Sequence, residues 1–215
     1  IVGLFEIVPF NFYLTRVEQS LADALGERVV IRSMQASLVP RPVIRLSEVT
    51  VGSGDAGATI AKVIAIPTFG SLFWGPLTLK DVELETVTIA RDFIPKVPEV
   101  IARQREGSLG FQHILVRNLR LAIPNLDLPP AEVEIHWDRT GRFDRASVLA
   151  YSRRVAIDLR ATEADVKFTL TASNWQPLAG SKATIDSLKV SGTATRSGFE
   201  ATEVDADLYA GKAQG

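Results

Sequence analysis

The sequence predicts an α+β fold that is mainly β: one long, curled, antiparallel-type sheet forming a β-groove, with an amphipathic N-terminal helix and one or two short helices. Three observations carry that prediction. Most of the chain alternates apolar and polar residues between turn signals, the period of a strand with one buried face. One early segment repeats at three and four residues instead, the period of a helix. A short strand motif then recurs along the chain.

Taken in order, residues 1–8 are mostly apolar, with Glu6 interrupting Ile1-Val2-Gly3-Leu4-Phe5 and Ile7-Val8. They read either as the end of a membrane anchor or signal segment, or as an ordinary buried N-terminal segment. No run of 18 or more apolar residues follows, so no complete spanning helix is expected. Residues 9–215 read as one module, part of a longer protein. Its helix starts at Pro9, or just after Asn11 as cap. Phe10, Leu14, Val17, Leu21 and Leu25 line one side, and Gly26 supplies the stop.

Strands are predicted at Val29–Leu38, Val43–Val51, Ala58–Ile66, Leu77–Ile89, Ile114–Ile123, Val133–Trp137, Ala146–Ala150, Arg154–Ala161, Asp165–Ala172, Thr184–Thr193 and Glu200–Leu208. Pro40-Arg41-Pro42, Gly52-Ser53-Gly54-Asp55, Pro129-Pro130 and Thr140-Gly141 mark turns between them. A weaker helix is predicted from about Pro95 to Arg105 and a single turn at Thr68–Trp74. Ala58–Ile66 is apolar on both faces apart from Lys62, so it is expected to be covered on both sides, with the helix over one.

The recurring motif is apolar, any, small polar or acidic, apolar, any, apolar. It appears as Leu46-Ser47-Glu48-Val49-Thr50-Val51, Leu79-Lys80-Asp81-Val82-Glu83-Leu84, Val116-Arg117-Asn118-Leu119-Arg120-Leu121 and Ile185-Asp186-Ser187-Leu188-Lys189-Val190. A weaker copy is Ala201-Thr202-Glu203-Val204-Asp205-Ala206. A step of three between apolar positions breaks the two-residue alternation, so the strand must bulge or change face there. The polar residue at the slip is expected to be locally unpaired. Repeated slips would curl the sheet around one apolar face, giving either an ordinary two-layer core or an open apolar groove.

Composition narrows the function. A net charge of −1 argues against nucleic acid as a partner, since phosphate neutralisation needs a basic excess. With no cysteine there is no disulfide, thiolate metal site or thiol catalysis. No serine elbow, phosphate loop or dinucleotide fingerprint occurs. The only histidines, His113 and His136, are far apart and show no ligand spacing with a carboxylate, so neither a metal nor another cofactor is expected. His136 and Asp138 would share a strand face, a weak candidate for a functional dyad. Glu83 and Glu85, like Glu203, Asp205 and Asp207, read as solvated strand faces. No catalytic residue is assigned and no enzyme is expected. Phe10, Phe12, Tyr13, Phe73 and Trp74 are aromatic candidates for a membrane-proximal contact, or else plugs over a core.

The run from Pro9 to Leu14, Val17, Leu21 and Leu25-Gly26-Glu27-Arg28-Val29-Val30-Ile31 resembles the start of AsmA-like proteins. So do Leu38-Val39-Pro40-Arg41-Pro42 with Ile44 to Gly52, and Gly70-Ser71-Leu72-Phe73-Trp74-Gly75-Pro76-Leu77 with the motif at Leu79. Leu208-Tyr209-Ala210-Gly211-Lys212 resembles a turn the family reuses, with Ala210 where glycine is often seen. The likeness is best over residues 9–91 and weaker from 112 to 215. It implies a bacterial periplasmic protein anchored in the inner membrane, acting in outer-membrane homeostasis through a β-groove that carries lipid acyl chains. Its partners would be phospholipid or another acyl lipid, the inner membrane and envelope proteins. Ile44, Leu46, Val82, Leu84, Leu119, Leu121, Val133 and Ile135 are the expected lipid-facing residues. The alternative is a closed sheet serving as scaffold for a protein partner.

Overall fold

The computed structural model describes residues 11–37, 41–53, 56–68, 77–97, 109–124, 128–163, 165–176, 184–195, 198–208 and 211–214. One helix, α1 (Asn11–Leu25), precedes the strands β1 (Val29–Ser37), β2 (Val43–Val51), β3 (Ala58–Pro67), β4 (Leu77–Ala90), β5 (Leu109–Ala122) and β6 (Ala131–Trp137). Then come β7 (Phe143–Ala150), β8 (Val155–Ala161), β9 (Val166–Trp175), β10 (Ile185–Thr195), β11 (Gly198–Leu208) and β12 (Gly211–Gln214). All twelve form one sheet in chain order. The fold is mainly β with a short N-terminal helix, as the alternation predicts; β12 is the strand that the sequence reading does not include.

Every neighbouring pair is antiparallel except β4–β5, which is parallel. A tight hairpin cannot join parallel strands; a crossover of about a dozen residues or more is needed. The link from 91 to 108 supplies it, and opens with a 3-10 helix at Arg91–Lys96. That element starts earlier than the predicted helix at Pro95. Residues 98–108 lie outside the described residues, as do 69–76, where the single turn was expected.

Gly26 ends α1 with φ +68° and donates its N–H to the Ala22 carbonyl at 2.8 Å. Leu14, Val17, Leu21, Ala22 and Leu25 pack on a buried cluster that includes Val29, Ile31, Leu46, Val49, Val51, Val63, Val82 and Phe93. Fully burying a Val, Leu, Ile or Phe side chain contributes about 1.5–3 kcal/mol, and the partly buried helix residues contribute less. The helix also guards the sheet edge, because the Ile31 N–H donates to Glu18 Oε1 at 2.6 Å. An edge strand otherwise offers free N–H groups to another chain. At the far end of the cluster Phe93 lies against Gly52, where an added Cβ would stand 3.1 Å from its ring. Gly52 also has φ +90°, so glycine is required there on two counts.

The slip falls where the sequence motif puts it in two strands and elsewhere in others. Glu48 and Asn118 have φ +50° and +56° and are absent from the ladders beside them. In β4 the left-handed residue is Thr86, at φ +53°. At Asp81 there is instead a bulge, in which Lys80 is the extra residue between the pairs Ile66–Asp81 and Pro67–Leu79. Asp81 is therefore paired, contrary to expectation. In β10 the skipped residue is Asp186, facing Asn174 at φ +46°, rather than Ser187.

These slips are matched from strand to strand. The registers set Arg32, Glu48, Ala61, Thr86 and Asn118 side by side across β1 to β5. Arg32 pairs with Glu48 at 2.6 Å, and Asn118 Nδ2 donates to Thr86 Oγ1 at 3.3 Å. Because each strand slips at the same level, the β1–β5 pairs keep register there. The crease ends at β6, which lacks the extra residue and takes a register shift between Val116 and Leu119.

Candidate functional site

The slips keep apolar side chains on one face of the sheet. One row runs through direct cross-strand partners from Met34 to Leu46, Val63, Leu84, Val116, Val133, Val148, Ile157, Leu170, Val190 and Val204. It crosses eleven strands without a polar residue. Strands lie about 4.8 Å apart, so the row is on the order of 50 Å long. A neighbouring row carries Ile44, Ala65, Val82, Ile114, Ile135, Ala146, Leu159 and Phe168.

This face has two parts. Over β1 to β4 it is buried beneath α1 and Phe93. From β5 onward Leu119, Leu121, Val133, Ile135, Ile157 and Leu170 are half-buried, with Val116, Ala146, Val155 and Ala172 buried among them, and Phe111 and Ile114 of β5 still pack against the cluster. Among the described residues α1 packs chiefly on β1 and the 3-10 helix on β4. All eight expected lipid-facing residues stand on this face. Leu46 and Val82 are buried in the cluster, and Ile44 and Leu84 pack against it. Leu119, Leu121, Val133 and Ile135 lie on the half-buried part.

The opposite face is polar. Lys62 pairs with Glu85 at 2.9 Å and Lys189 with Glu203 at 3.2 Å, and Arg117 bonds Glu83 and reaches Glu132 at 3.8 Å. Such exposed pairs contribute about 0–1 kcal/mol each. Glu203 and Asp205 are exposed and Asp207 half-buried, opposite the apolar Val204 and Ala206. On β3 this face holds Ala61, Lys62, Ile64 and Ile66, exposed or half-buried. The strand is thus buried on one side only among the described residues, because its second apolar set faces outward with the charged pairs.

Strand pairing assembles one group that spacing could not reveal. His113 and His136 are direct partners across β5 and β6, with rings stacked at 4.5 Å. The Nε2 atoms of both lie 3.0 Å from the same oxygen, Glu134 Oε1. The Nδ1 of His113 lies 3.1 Å from Asp81 Oδ1 on β4. Partial burial alone would raise the Glu134 carboxyl; hydrogen bonds from His136 and His113 outweigh it and hold the group below the usual carboxylate range. The His136–Asp138 dyad does not form. Asp138 lies past the end of β6, where Oδ1 accepts from the N–H groups of Thr140 and Arg142 and from Thr140 Oγ1. It is a turn cap. Glu134 was the missed residue; its alternation with His136 on one strand face was legible, whereas the 32-residue reach from Asp81 to His113 follows only from the parallel β4–β5 register.

Of the membrane-proximal candidates, Phe10, Phe73 and Trp74 lie outside the described residues, and Phe12 and Tyr13 are placed only as part of α1. No helix among the described residues is long and apolar enough to cross a membrane. No protein-family model matches the chain, and no curated protein matches it.

Proposed function

We propose that this chain is a lipid-binding β-groove module that passes acyl chains along its apolar face, without covalent chemistry. The observation behind the proposal is the unbroken apolar row from Met34 to Val204, set against a charged opposite face. Keeping an acyl chain out of water is worth about 0.8 kcal/mol per CH₂, so a chain of about sixteen carbons is worth on the order of 12 kcal/mol. A lane with no polar interruption spares most of that cost at each step of movement. The open part of that lane, β5 to β11, is on the order of 30 Å long at about 4.8 Å per strand, which exceeds one acyl chain and suits passage rather than simple storage.

The AsmA-like pattern around Pro9–Gly52 and Gly70–Leu84 supports placing the module in the periplasm of a bacterial envelope, attached to the inner membrane and serving the outer membrane. The open half, β5 to β11, is the part that takes the lipid. Titration with an environment-sensitive fluorescent fatty acid tests this. Saturable binding that unlabelled phospholipid displaces supports the groove; absence of binding removes it. A second reading, a closed scaffold for an envelope protein, draws on the buried cluster beneath α1, which leaves β1 to β4 no room for an acyl chain.

A further inference from the structure

We propose that His113, Glu134 and His136 form a zinc site on the polar face of the sheet, with Asp81 as its outer support. The three side chains offer ligand atoms that all lie within 4.8 Å of one another. Both imidazoles present Nε2 to one carboxylate oxygen, at 3.0 Å each. Ligand atoms of a tetrahedral zinc centre with bonds of about 2.0–2.1 Å stand about 3.3 Å apart, so the two Nε2–Oε1 separations of 3.0 Å need open by only a few tenths of an ångström.

The hydrogen-bond pattern of the cluster accommodates a cation. When His113 donates its Nδ1–H to Asp81, its Nε2 carries a lone pair aimed at the Glu134 oxygen, an acceptor facing an acceptor. His136 Nε2 aims at that same oxygen. One proton added to His113 would also satisfy these contacts, with neutral His136 donating its own Nε2–H to Glu134; a divalent ion instead uses the lone pairs of both Nε2 atoms. One divalent ion satisfies all three groups at once. Asp81 is placed as the carboxylate that commonly holds the far nitrogen of a zinc-bound histidine and fixes its tautomer. Two imidazoles and a carboxylate suit zinc better than calcium or magnesium, which favour all-oxygen sets.

The site would clamp β5 to β6, where the crease of matched slips ends in a register shift, and through Asp81 it would reach the parallel strand β4. Three protein ligands leave a fourth position for water or a ligand oxygen. Other charges nearby are Glu132 and Arg145, the latter exposed and the direct cross-strand partner of His136. This inference stands apart from the lipid reading, since the cluster lies on the opposite face.

The chain has two histidines and no cysteine, which makes the test clean. Untagged, metal-free protein is titrated with zinc by calorimetry and with cobalt(II) by visible absorption. The expected result is one equivalent bound, a tetrahedral cobalt spectrum, and a rise in melting temperature with zinc. His136→Gln and Glu134→Gln should each abolish saturable binding, with folding checked by circular dichroism. Asp81→Asn should weaken binding about 10- to 100-fold while keeping one equivalent. No saturable binding by the folded protein, or binding unchanged in His136→Gln or in Glu134→Gln, overturns the proposal and leaves the cluster as a hydrogen-bonded pair around Glu134.

Discussion

Leu119 and Arg120 are adjacent in β5, and the register assigns them to opposite faces. Leu119 pairs with Val87 on β4 and Ala131 on β6, within the apolar face. Arg120 pairs with Thr88 and is exposed on the polar face. Replacing Leu119 with Glu sets a carboxylate in the lane. An acyl chain passing it loses apolar contact for roughly three or four methylenes at about 0.8 kcal/mol each, or about 2–3 kcal/mol. That corresponds to a roughly 30- to 150-fold weaker affinity. Because Leu119 is only half-buried, the carboxylate keeps access to water and the fold should lose no more than about 1–2 kcal/mol. Arg120→Glu should leave affinity within about twofold, as expected of a surface change away from the lane. Fluorescent fatty-acid titration reads the affinities, and thermal unfolding confirms that both variants are folded. Equal losses in the two variants, or normal binding by folded Leu119→Glu, would refute the assignment of faces.

Other expected outcomes come from the backbone and the turns. Gly192→Ala would put a Cβ 2.1 Å from the Glu200 carbonyl oxygen and 2.7 Å from the Phe168 ring, so urea unfolding should show a loss of at least about 2 kcal/mol. Asn118→Val forces a β-branched residue into φ +56° and removes the bond to Thr86; a loss of about 1–2 kcal/mol is expected in the same assay. The Thr140 hydroxyl, the Arg142 N–H and the Thr140 N–H hold the Asp138 carboxyl below its ordinary value. Its contribution to the β6–β7 turn is therefore complete above the unfolded-chain pKa and fades as pH falls through the lower folded one, which the carboxyl carbon shift followed by NMR will show as a depressed midpoint.

Strand positions were legible because the alternation is strict. Val43–Val51 matches β2 end to end, and the other ten predicted strands overlap observed ones. The groove candidates were legible as one set because the motif marks where each strand changes phase, at Glu48 and Asn118 most clearly. What the sequence did not carry was pairing direction. Nothing in the alternation of Leu77–Ile89 or Ile114–Ile123 says that they run parallel, and that register brings Asp81 beside His113. The division of the apolar face was equally hidden. Val49 and Leu119 hold equivalent places in their motif copies, yet one is buried in the cluster beneath α1 and Phe93 and the other is half-buried, because cover depends on where the helix and the crossover pack. His113 and His136 looked isolated because cross-strand partners need have no sequence spacing at all.

The most direct test of the central claim is native mass spectrometry of the purified chain, joined to extraction and identification of its lipids. The lipid-groove account predicts phospholipid or another acyl lipid bound at fixed stoichiometry, retained by Arg120→Glu and reduced in Leu119→Glu. A lipid-free protein that also takes up no added phospholipid would contradict it.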